Sequence, residues 1–146
     1  MVNSFTGKYD FLSNFYLCSI PYDGLHYPSS EHAFQAAKTT SYAQRVAICN
    51  ANTPGQAKRA GKLVNMRPDW ETIKVQIMQD ILVLKFAYHI KLREKLLDTH
   101  SMELIEGNTW GDVFWGVCDG QGRNELGKAL MRVRELFKYN ADLSSF

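Results

Sequence analysis

The clearest pattern of hydrophobic and polar positions lies in the middle of the chain. Apolar side chains recur there every three or four residues: Ile73, Ile77, Ile81 and Leu84, joined by Val75, Met78, Leu82 and Phe86. This spacing matches the 3.6-residue period of an α-helix. A helix that is apolar on most of its surface belongs in a core. We therefore predict a central helix from Asp69 to about Asp98, with a break near His89.

Shorter helices are predicted from their patterns and end signals. One covers Tyr42–Ala51. The next should begin after Thr53, because threonine caps helix N-termini and the proline that follows it is favoured at the first helical position. Gly61 is a natural C-terminal stop for this helix. The last helix is predicted from about Asn124 to Phe137, and the residues after Lys138 should form a frayed tail.

A β-hairpin is predicted near the N-terminus. Asp23-Gly24 separates Ile20-Pro21-Tyr22 from Leu25-His26-Tyr27, and Asp-Gly between two such runs indicates a two-residue hairpin turn. Pro21 has no amide hydrogen, so its strand should be an edge strand.

Helices outnumber strands, and the two do not alternate along the chain as they do in doubly wound folds. The sequence predicts an α+β fold, predominantly helical, with a few short strands near the N-terminus. Met102–Ile105 is predicted to be a further short strand, and the Gly- and Trp-rich segment Glu106–Arg123 is predicted to be loop. A length of 146 residues favours one compact domain spanning residues 1–146.

Composition and charge narrow the classes of function. A net charge of +2 and a pI near 8.4 are too small to predict nucleic-acid or membrane binding by bulk electrostatics. Cys18, Cys49 and Cys118 are far apart and odd in number, which favours free thiols in a reducing compartment. The sequence shows no signal peptide and no apolar stretch near the roughly 20 residues that span a bilayer. We expect a cytoplasmic protein with no membrane partner.

A short helix from about Glu31 to Lys38, behind the candidate N-caps Ser29 and Ser30, carries the first candidate site. Glu31, Gln35 and Lys38 are four and three residues apart, so they project along one helix face. This face can line a pocket. Alternatively it is a solvated surface on which Glu31 and Lys38 complement the helix dipole. Both interpretations are open at this point.

A second candidate site is Asn108–Gly116, where two tryptophans and a phenylalanine lie among glycines. Trp110 and Trp115 could stack on a flat ligand such as a base, a contact worth about 1–3 kcal/mol. The alternative is that the rings fill the core. Asp112 is a candidate acid, base or sugar-hydroxyl acceptor, unless it only caps a turn.

A third candidate site is Gly120–Gly127, a Gly-rich segment that leads into the last helix. Backbone amides at a helix N-terminus suit an anion, so Gly122, Arg123 and Asn124 are candidates for phosphate binding. The glycine spacing fits neither a Rossmann fingerprint nor a P-loop. The alternative is a tight turn with Asn124 as N-cap.

The remaining candidates are basic residues that could bind phosphate and side chains that could bind a metal ion. Lys62 and Arg67 could bind a phosphate, although a solvated surface is the commoner explanation for dispersed basic residues. The four histidines and three cysteines have no paired ligand spacing. We therefore predict no metal site and expect activity to survive chelation.

Taken together, these segments resemble the NADAR family. The matching elements occur in the family's order and cover nearly the whole chain: Phe11–Tyr16, Tyr27–His32, Phe34–Lys38, Trp70, Lys74, Met78, Lys85-Phe86, Leu96-Leu97, Trp115-Gly116, Gly122–Asn124, Leu126-Gly127, Leu130-Met131 and Arg134. Each piece is short, but the ordered set is specific. Lys62 stands where many members carry arginine, and Arg123 stands where lysine is frequent. Both changes alter the geometry of a phosphate contact while keeping its charge.

The resemblance implies an N-glycosidase that cleaves the bond between ribose C1′ and an exocyclic nitrogen of a heterocycle, with no cofactor. Members act on ribosylamino-pyrimidine phosphates of riboflavin synthesis or remove ADP-ribose from guanine in nucleic acid. The expected partner is therefore a phosphorylated ribosyl small molecule or ADP-ribosylated nucleic acid; the oligomeric state is not predicted. Glu31, Lys38 and Asp112 are the predicted catalytic residues. The predicted substrate-binding residues are Asn14, Phe15, Gln35, Lys62, Arg67, Trp70, Trp110, Trp115, Gly122, Arg123 and Asn124.

Two mechanisms are compatible with this activity. A carboxylate can assist departure of the base from an oxocarbenium-like sugar that water attacks. Alternatively, a lysine amine displaces the base through a Schiff base that water then hydrolyses. Glu31 and Lys38 could serve either. The rival functions are a module that binds ADP-ribose or a nucleotide without cleavage, and a nucleic-acid-binding domain, which the lack of a dense basic surface disfavours.

Overall fold

Helices dominate residues 1–140, which the structure, a computed structural model, describes. The α-helices are α1 (Ser30–Ala36), α2 (Tyr42–Cys49), α3 (Pro54–Gly61), α4 (Trp70–Tyr88), α5 (Ile90–Leu97) and α6 (Glu125–Tyr139). The strands are β1 (Leu17–Tyr22), β2 (Leu25–Ser29), β3 (Gly107–Asn108) and β4 (Val117–Cys118), and a 3-10 helix covers Gly7–Leu12. The predicted α+β, predominantly helical fold is confirmed. The segment expected to fray after Lys138 is helical as far as Tyr139, and residues 141–146 lie outside the described residues.

Contacts divide the chain into two units. One consists of Asn14–Lys85, and the other of Met1–Ser13 together with the chain from Phe86 onward. That residues 1–146 form one domain stays a prediction. None of the helices within residues 1–140 is long and apolar enough to cross a membrane. The cytoplasmic location also stays a prediction.

The unit Asn14–Lys85 begins with the predicted hairpin. β1 and β2 pair antiparallel on either side of Asp23-Gly24. Both turn residues have positive φ, 50° and 87°, which the favoured hairpin turn requires and which Asp-Gly supplies at low cost. Pro21 lies in a sheet of two strands, where each strand is an edge, so the prediction for Pro21 is confirmed.

The first predicted helix is α1, and Ser29 is its N-cap. The Ser29 hydroxyl accepts a hydrogen bond from the backbone amide of His32 (3.1 Å). The helix ends at Ala36 rather than at the predicted Lys38. Its end tightens into three-residue hydrogen bonds, one of them from Lys38 N to Gln35 O (3.2 Å). Every residue of α1 is buried, so the interpretation as a solvated surface helix is wrong.

The following helices agree with their sequence signals. Thr53 caps α3 by accepting a hydrogen bond from Gln56 N (3.1 Å), and α3 ends at Gly61 as predicted. α2 ends at Cys49, slightly before the predicted end. α4 and α5 are separated at His89, which confirms the predicted break. The central apolar positions of α4 are buried: Ile77, Met78, Ile81 and Leu82.

Two predictions are wrong in the unit that contains the chain from Phe86 onward. Met102–Ile105 is not a strand, because its pairing is a single bridge between Leu104 and Val2. Glu106–Arg123 is not entirely loop, because β3 and β4 lie within it and pair in parallel. Strands of two residues carry no alternation that a sequence pattern can reveal. The last helix, α6, buries the apolar face predicted for it: Leu126, Leu130, Val133 and Phe137.

Candidate active site

Glu31 and Gln35 form a buried pair on α1. The exposed fraction is 7% for Glu31 and 5% for Gln35. Gln35 Nε2 donates a hydrogen bond to Glu31 Oε1 (2.8 Å), as the four-residue spacing predicts. A buried carboxylate is a candidate for proton transfer or for stabilising positive charge on a sugar.

Asn14 holds the beginning of α1 in place. Its carbonyl oxygen accepts a hydrogen bond from Glu31 N (3.0 Å), and its Oδ1 accepts one from the Ser30 hydroxyl (2.8 Å). Asn14 Nδ2 donates to the sulfur of Met78 (3.5 Å). Asn14 therefore fixes the backbone that carries the Glu31 carboxylate, a role that its place in the chain did not reveal. The next side chain, Phe15, is 46% exposed.

Lys38 directly follows the end of α1 and is half-buried. Burial lowers the pKa of its ammonium group from the usual 10.5. The Glu31 carboxylate acts in the opposite direction, but the positive charges of Lys58, Lys62 and Lys74 add to the lowering. A lowered pKa enlarges the fraction of neutral amine near neutral pH, and nucleophilic chemistry requires the neutral amine.

Lys62 and Arg67, the two basic residues predicted to bind phosphate, have different surroundings. Lys62 follows α3 and is exposed. The Arg67 guanidinium donates two hydrogen bonds to the Asp69 carboxylate (2.7 and 3.2 Å). The Arg67 backbone amide donates to the Lys38 carbonyl (2.7 Å). Arg67 thus anchors the backbone at Lys38, and a phosphate would have to compete with Asp69 for its guanidinium.

Trp70 belongs to the core. Its exposed fraction is 4%, and its ring packs against Phe34 with the ring centroids 5.0 Å apart. A ring buried in this way has no face left for a base. Substrate contact by Trp70, which the resemblance implies, therefore stays a prediction that this packing does not support.

In the other unit, Asp112 caps a turn. Its Oδ1 accepts hydrogen bonds from the backbone amides of Phe114 (3.1 Å) and Trp115 (2.9 Å), which is the alternative that the sequence left open. The Trp115 ring is partly buried and stands edge-on to Phe114. Trp110 is 66% exposed. The Trp110 ring is therefore accessible for stacking, and substrate contact by Trp115 stays a prediction.

Most backbone amides at the start of α6 are bonded within the protein. The amides of residues 123–126 donate to carbonyl oxygens of residues 113–116 over 2.8–3.2 Å. Gly122 permits this close approach, since a Cβ on it would lie 2.2 Å from Gly116 O. The amides of residues 123–126, on which much of the predicted anion site depended, are thus already bonded within the protein. Contact of Gly122, Arg123 or Asn124 with substrate stays a prediction without that support.

The side chains of this turn are engaged as well. The Arg123 guanidinium donates to the Glu125 carboxylate (3.1 Å). Asn124 has a left-handed φ of 53° and does not cap α6 with its side chain. Its Oδ1 accepts from Glu106 N and its Nδ2 donates to Leu104 O, both over 2.9 Å. Asn124 therefore stands at the N-cap position of α6, as the alternative predicted, but its side chain ties the beginning of the helix to the segment before β3 instead of capping it.

Lys85 is a functional candidate that the pattern analysis did not single out. It is fully buried in α4, and its ammonium group lies over the Tyr16 ring, 5.7 Å from the centroid. Burial raises the pKa of the Cys18 thiol, and the Lys85 charge opposes that rise. Fully buried lysines are rare. The sequence signal that could have identified Lys85 is that it is one charged residue inside an otherwise apolar stretch of helix.

No group of metal ligands is evident in the part of the chain that the structure describes. Within residues 1–140, no three His, Cys, Asp or Glu side chains are grouped so that they could hold an ion. The three cysteines are free thiols, as predicted. That the protein works without a metal or cofactor stays a prediction.

The chain is similar to known proteins over nearly its whole length. The model of the NADAR domain family matches residues 3–138. The N-glycosidase YbiA of Escherichia coli is 38% identical over 135 residues, which cover 90% of this chain and 84% of that protein. The NMR structure of E. coli YbiA has a TM-score of 0.84 at 35% identity, covering 97% of this chain and 89% of that one.

This chain covers different shares of two other relatives. A riboflavin biosynthesis protein of Vibrio vulnificus is 40% identical over 137 residues, and this chain spans 37% of its length. An N-glycosidase of Nostoc punctiforme is 36% identical over 133 residues, which cover 87% of this chain and 85% of that protein. The family match, the identities and the shared fold agree. The chain therefore belongs to the NADAR family of N-glycosidases.

Proposed function

We propose that this protein hydrolyses the bond between ribose C1′ and an exocyclic nitrogen of a heterocycle, with Lys38 as the nucleophile and Glu31 as the proton-transfer group. One observation carries the proposal: a buried Glu31 carboxylate acts on a Lys38 ammonium group whose pKa is lowered. Buried acids and lysines with a lowered pKa concentrate at reactive sites.

The first half of the reaction releases the heterocycle. Neutral Lys38 Nζ forms a bond to ribose C1′ while the bond from C1′ to the exocyclic nitrogen breaks. Glu31 gives a proton to the departing nitrogen, so the heterocycle leaves as an amine. The sugar ring opens, its ring oxygen takes a proton from the lysine nitrogen, and Lys38 and C1′ remain joined as a protonated imine.

The second half releases the sugar. Water adds to C1′, the C1′–Nζ bond breaks, and Lys38 returns to a neutral amine. The ionised Glu31 carboxylate recovers one proton, so one water molecule is consumed in each cycle. Direct hydrolysis through an oxocarbenium-like sugar also needs the carboxylate, but it gains nothing from a neutral lysine. The lowered pKa of Lys38 therefore favours the imine route.

We infer a ribosylamino-pyrimidine phosphate as the substrate. Support comes from relatives in V. vulnificus and Zea mays that are named for riboflavin biosynthesis. The positive charges of Lys58, Lys62 and Lys74 around Lys38 suit a phosphate ester. ADP-ribosylated guanine in nucleic acid is the second candidate. The exposed Trp110 ring favours it, because a nucleic-acid base can stack on such a ring.

Incubation with each substrate separately tests the proposed function. We expect the purified protein to release the free aminopyrimidine from the ribosylamino-pyrimidine phosphate, as measured by chromatography. Release from a guanine-ADP-ribosylated DNA oligonucleotide alone would identify the second candidate as the substrate. Binding of either compound without release would indicate a module that binds and does not cleave, and would contradict the proposal.

Replacing Lys62 by glutamine should move the pH dependence of kcat to higher pH. Lys38 reacts as the neutral amine, so kcat rises with pH through the pKa of its ammonium group. The Lys62 charge is one of the causes that lower this pKa, so removing it raises the pKa. We expect the midpoint of the ascending limb to rise by a fraction of a pH unit, since solvent screens an exposed charge.

Lys91→Gln is the matched control for this measurement. Lys91 is an exposed lysine on α5 and is not among the charges that shift the Lys38 pKa. Because kcat is measured at saturating substrate, weaker phosphate binding by the Lys62 variant would not affect it. A midpoint that is unchanged or lower in Lys62→Gln would count against Lys38 as the titrating nucleophile.

A further inference from the structure

Gly61 on α3 lies against the side chain of Gln35 on α1. A Cβ on Gly61 would lie 2.0 Å from Gln35 Oε1, 2.8 Å from Cδ and 3.0 Å from Cβ. These distances are too short for atoms in contact, and packed interiors leave little room to relax. Gly61 is part of a regular helix, so glycine is needed here for space rather than for an unusual backbone conformation.

Gln35 has little freedom to move away. Its side chain is buried, and its Nε2 donates the hydrogen bond to Glu31 Oε1. Its Oε1 is buried without a hydrogen-bond partner among the described residues, which costs free energy. The amide is therefore not oriented by bonds at both of its ends. The space beside Gly61 and the hydrogen bond to Glu31 together define its position.

We propose that Gly61 and Gln35 act as positioning residues for Glu31. Gly61 supplies the space that lets Gln35 hold the Glu31 carboxylate, and neither residue needs to touch the substrate. This inference rests on the proposed function, in which Glu31 transfers protons. A donor to an ionised carboxylate stabilises the ionised form and limits the orientations of the side chain. It gives Gln35 a different role from the substrate contact expected from the sequence.

Gly61→Ala tests the proposal. The added methyl group should displace Gln35 and break its hydrogen bond to Glu31, lowering kcat by about ten- to a hundredfold, as for a lost bond to a charged group. KM should change little. Gly55→Ala in the same helix is the matched control, because a Cβ there has its nearest neighbours at 3.9 Å and alanine favours helix. It should leave kcat unchanged.

A double-mutant cycle shows whether Gly61 acts through Gln35. Gln35→Ala removes the donor together with the two closest atoms, Oε1 and Cδ, and leaves one tight contact, with Cβ at 3.0 Å, which a shift of a few tenths of an ångström relieves. Adding Gly61→Ala to this variant should therefore have little further effect on kcat. Effects that add would overturn the proposal. Because Gln35→Ala has no steric clash, it also keeps the test valid if Gly61→Ala alone does not fold.

Titration of the Glu31 carboxyl group by NMR separates positioning from function, since it needs no substrate. Loss of the Gln35 donor should raise the midpoint of this titration in Gly61→Ala and in Gln35→Ala, but not in Gly55→Ala. Such a result supports positioning even if the wild-type protein cleaves neither substrate. A midpoint that is unchanged in Gln35→Ala overturns the proposal even if the wild-type protein is active.

Discussion

Replacing Lys38 by arginine should reduce kcat by about a thousandfold or more, as losses of catalytic nucleophiles do in other enzymes. Arginine keeps the positive charge, but it stays protonated at every relevant pH and cannot form an imine. The substitution therefore removes the nucleophile without removing the positive charge. Single-turnover assays with the ribosylamino-pyrimidine phosphate measure the effect.

Lys91→Arg is the matched control for Lys38→Arg. Lys91 is an exposed lysine on α5 and is not among the charges that shift the Lys38 pKa, so the same change there should leave kcat near the wild-type value. Circular dichroism should show that both variants keep the helical content of the wild type. If Lys38→Arg keeps near-wild-type kcat, the imine route is wrong, and direct hydrolysis assisted by Glu31 becomes the better account.

Replacing Glu31 by glutamine should lower kcat by about 10²–10⁴-fold, the usual contribution of an acid–base group. Glutamine has nearly the same shape and can still accept the hydrogen bond from Gln35, so the fold should be preserved. The sign of the electrostatic effect makes this test informative. The Glu31 carboxylate raises the pKa of Lys38, so its removal increases the fraction of neutral amine.

Two roles for Glu31 thus predict opposite results. If Glu31 only tuned Lys38, then Glu31→Gln would react faster than the wild type on the acidic side of the pH profile. A proton-transfer role predicts a loss of kcat at every pH. Glu94→Gln, an exposed position on α5, is the control, and wild-type turnover in Glu31→Gln would remove this residue from the mechanism.

Local sequence signals predicted the helix starts well. Ser29 and Thr53 cap their helices as expected, because a cap depends on three or four consecutive residues. The helix ends were less predictable. α1 ends at Ala36, although its pattern continues to Lys38, whose carbonyl oxygen accepts a hydrogen bond from the distant Arg67 amide. Such a contact leaves no trace in the local pattern.

The chemistry of Glu31 and Gln35 was predictable, but their burial was not. Their four-residue spacing is the same on a solvated face and on a buried one. What buries and orients them includes Asn14 and Gly61, both far away in the sequence. At the turn before α6, contacts with distant residues again decided the outcome, but there they removed a predicted site. The Gly-rich sequence indicated free amides at the start of α6, yet the amides of residues 123–126 donate hydrogen bonds to the carbonyls of residues 113–116.

Trapping with borohydride during turnover tests most directly the claim that Lys38 bonds covalently to the sugar. Borohydride reduces an imine to a stable amine, so the sugar phosphate should remain attached to the protein. We predict a mass increase on the peptide that contains Lys38, seen only when substrate and borohydride are both present and absent in Lys38→Arg. Rapid turnover without any trapped adduct, or an adduct on a different lysine, would contradict the account.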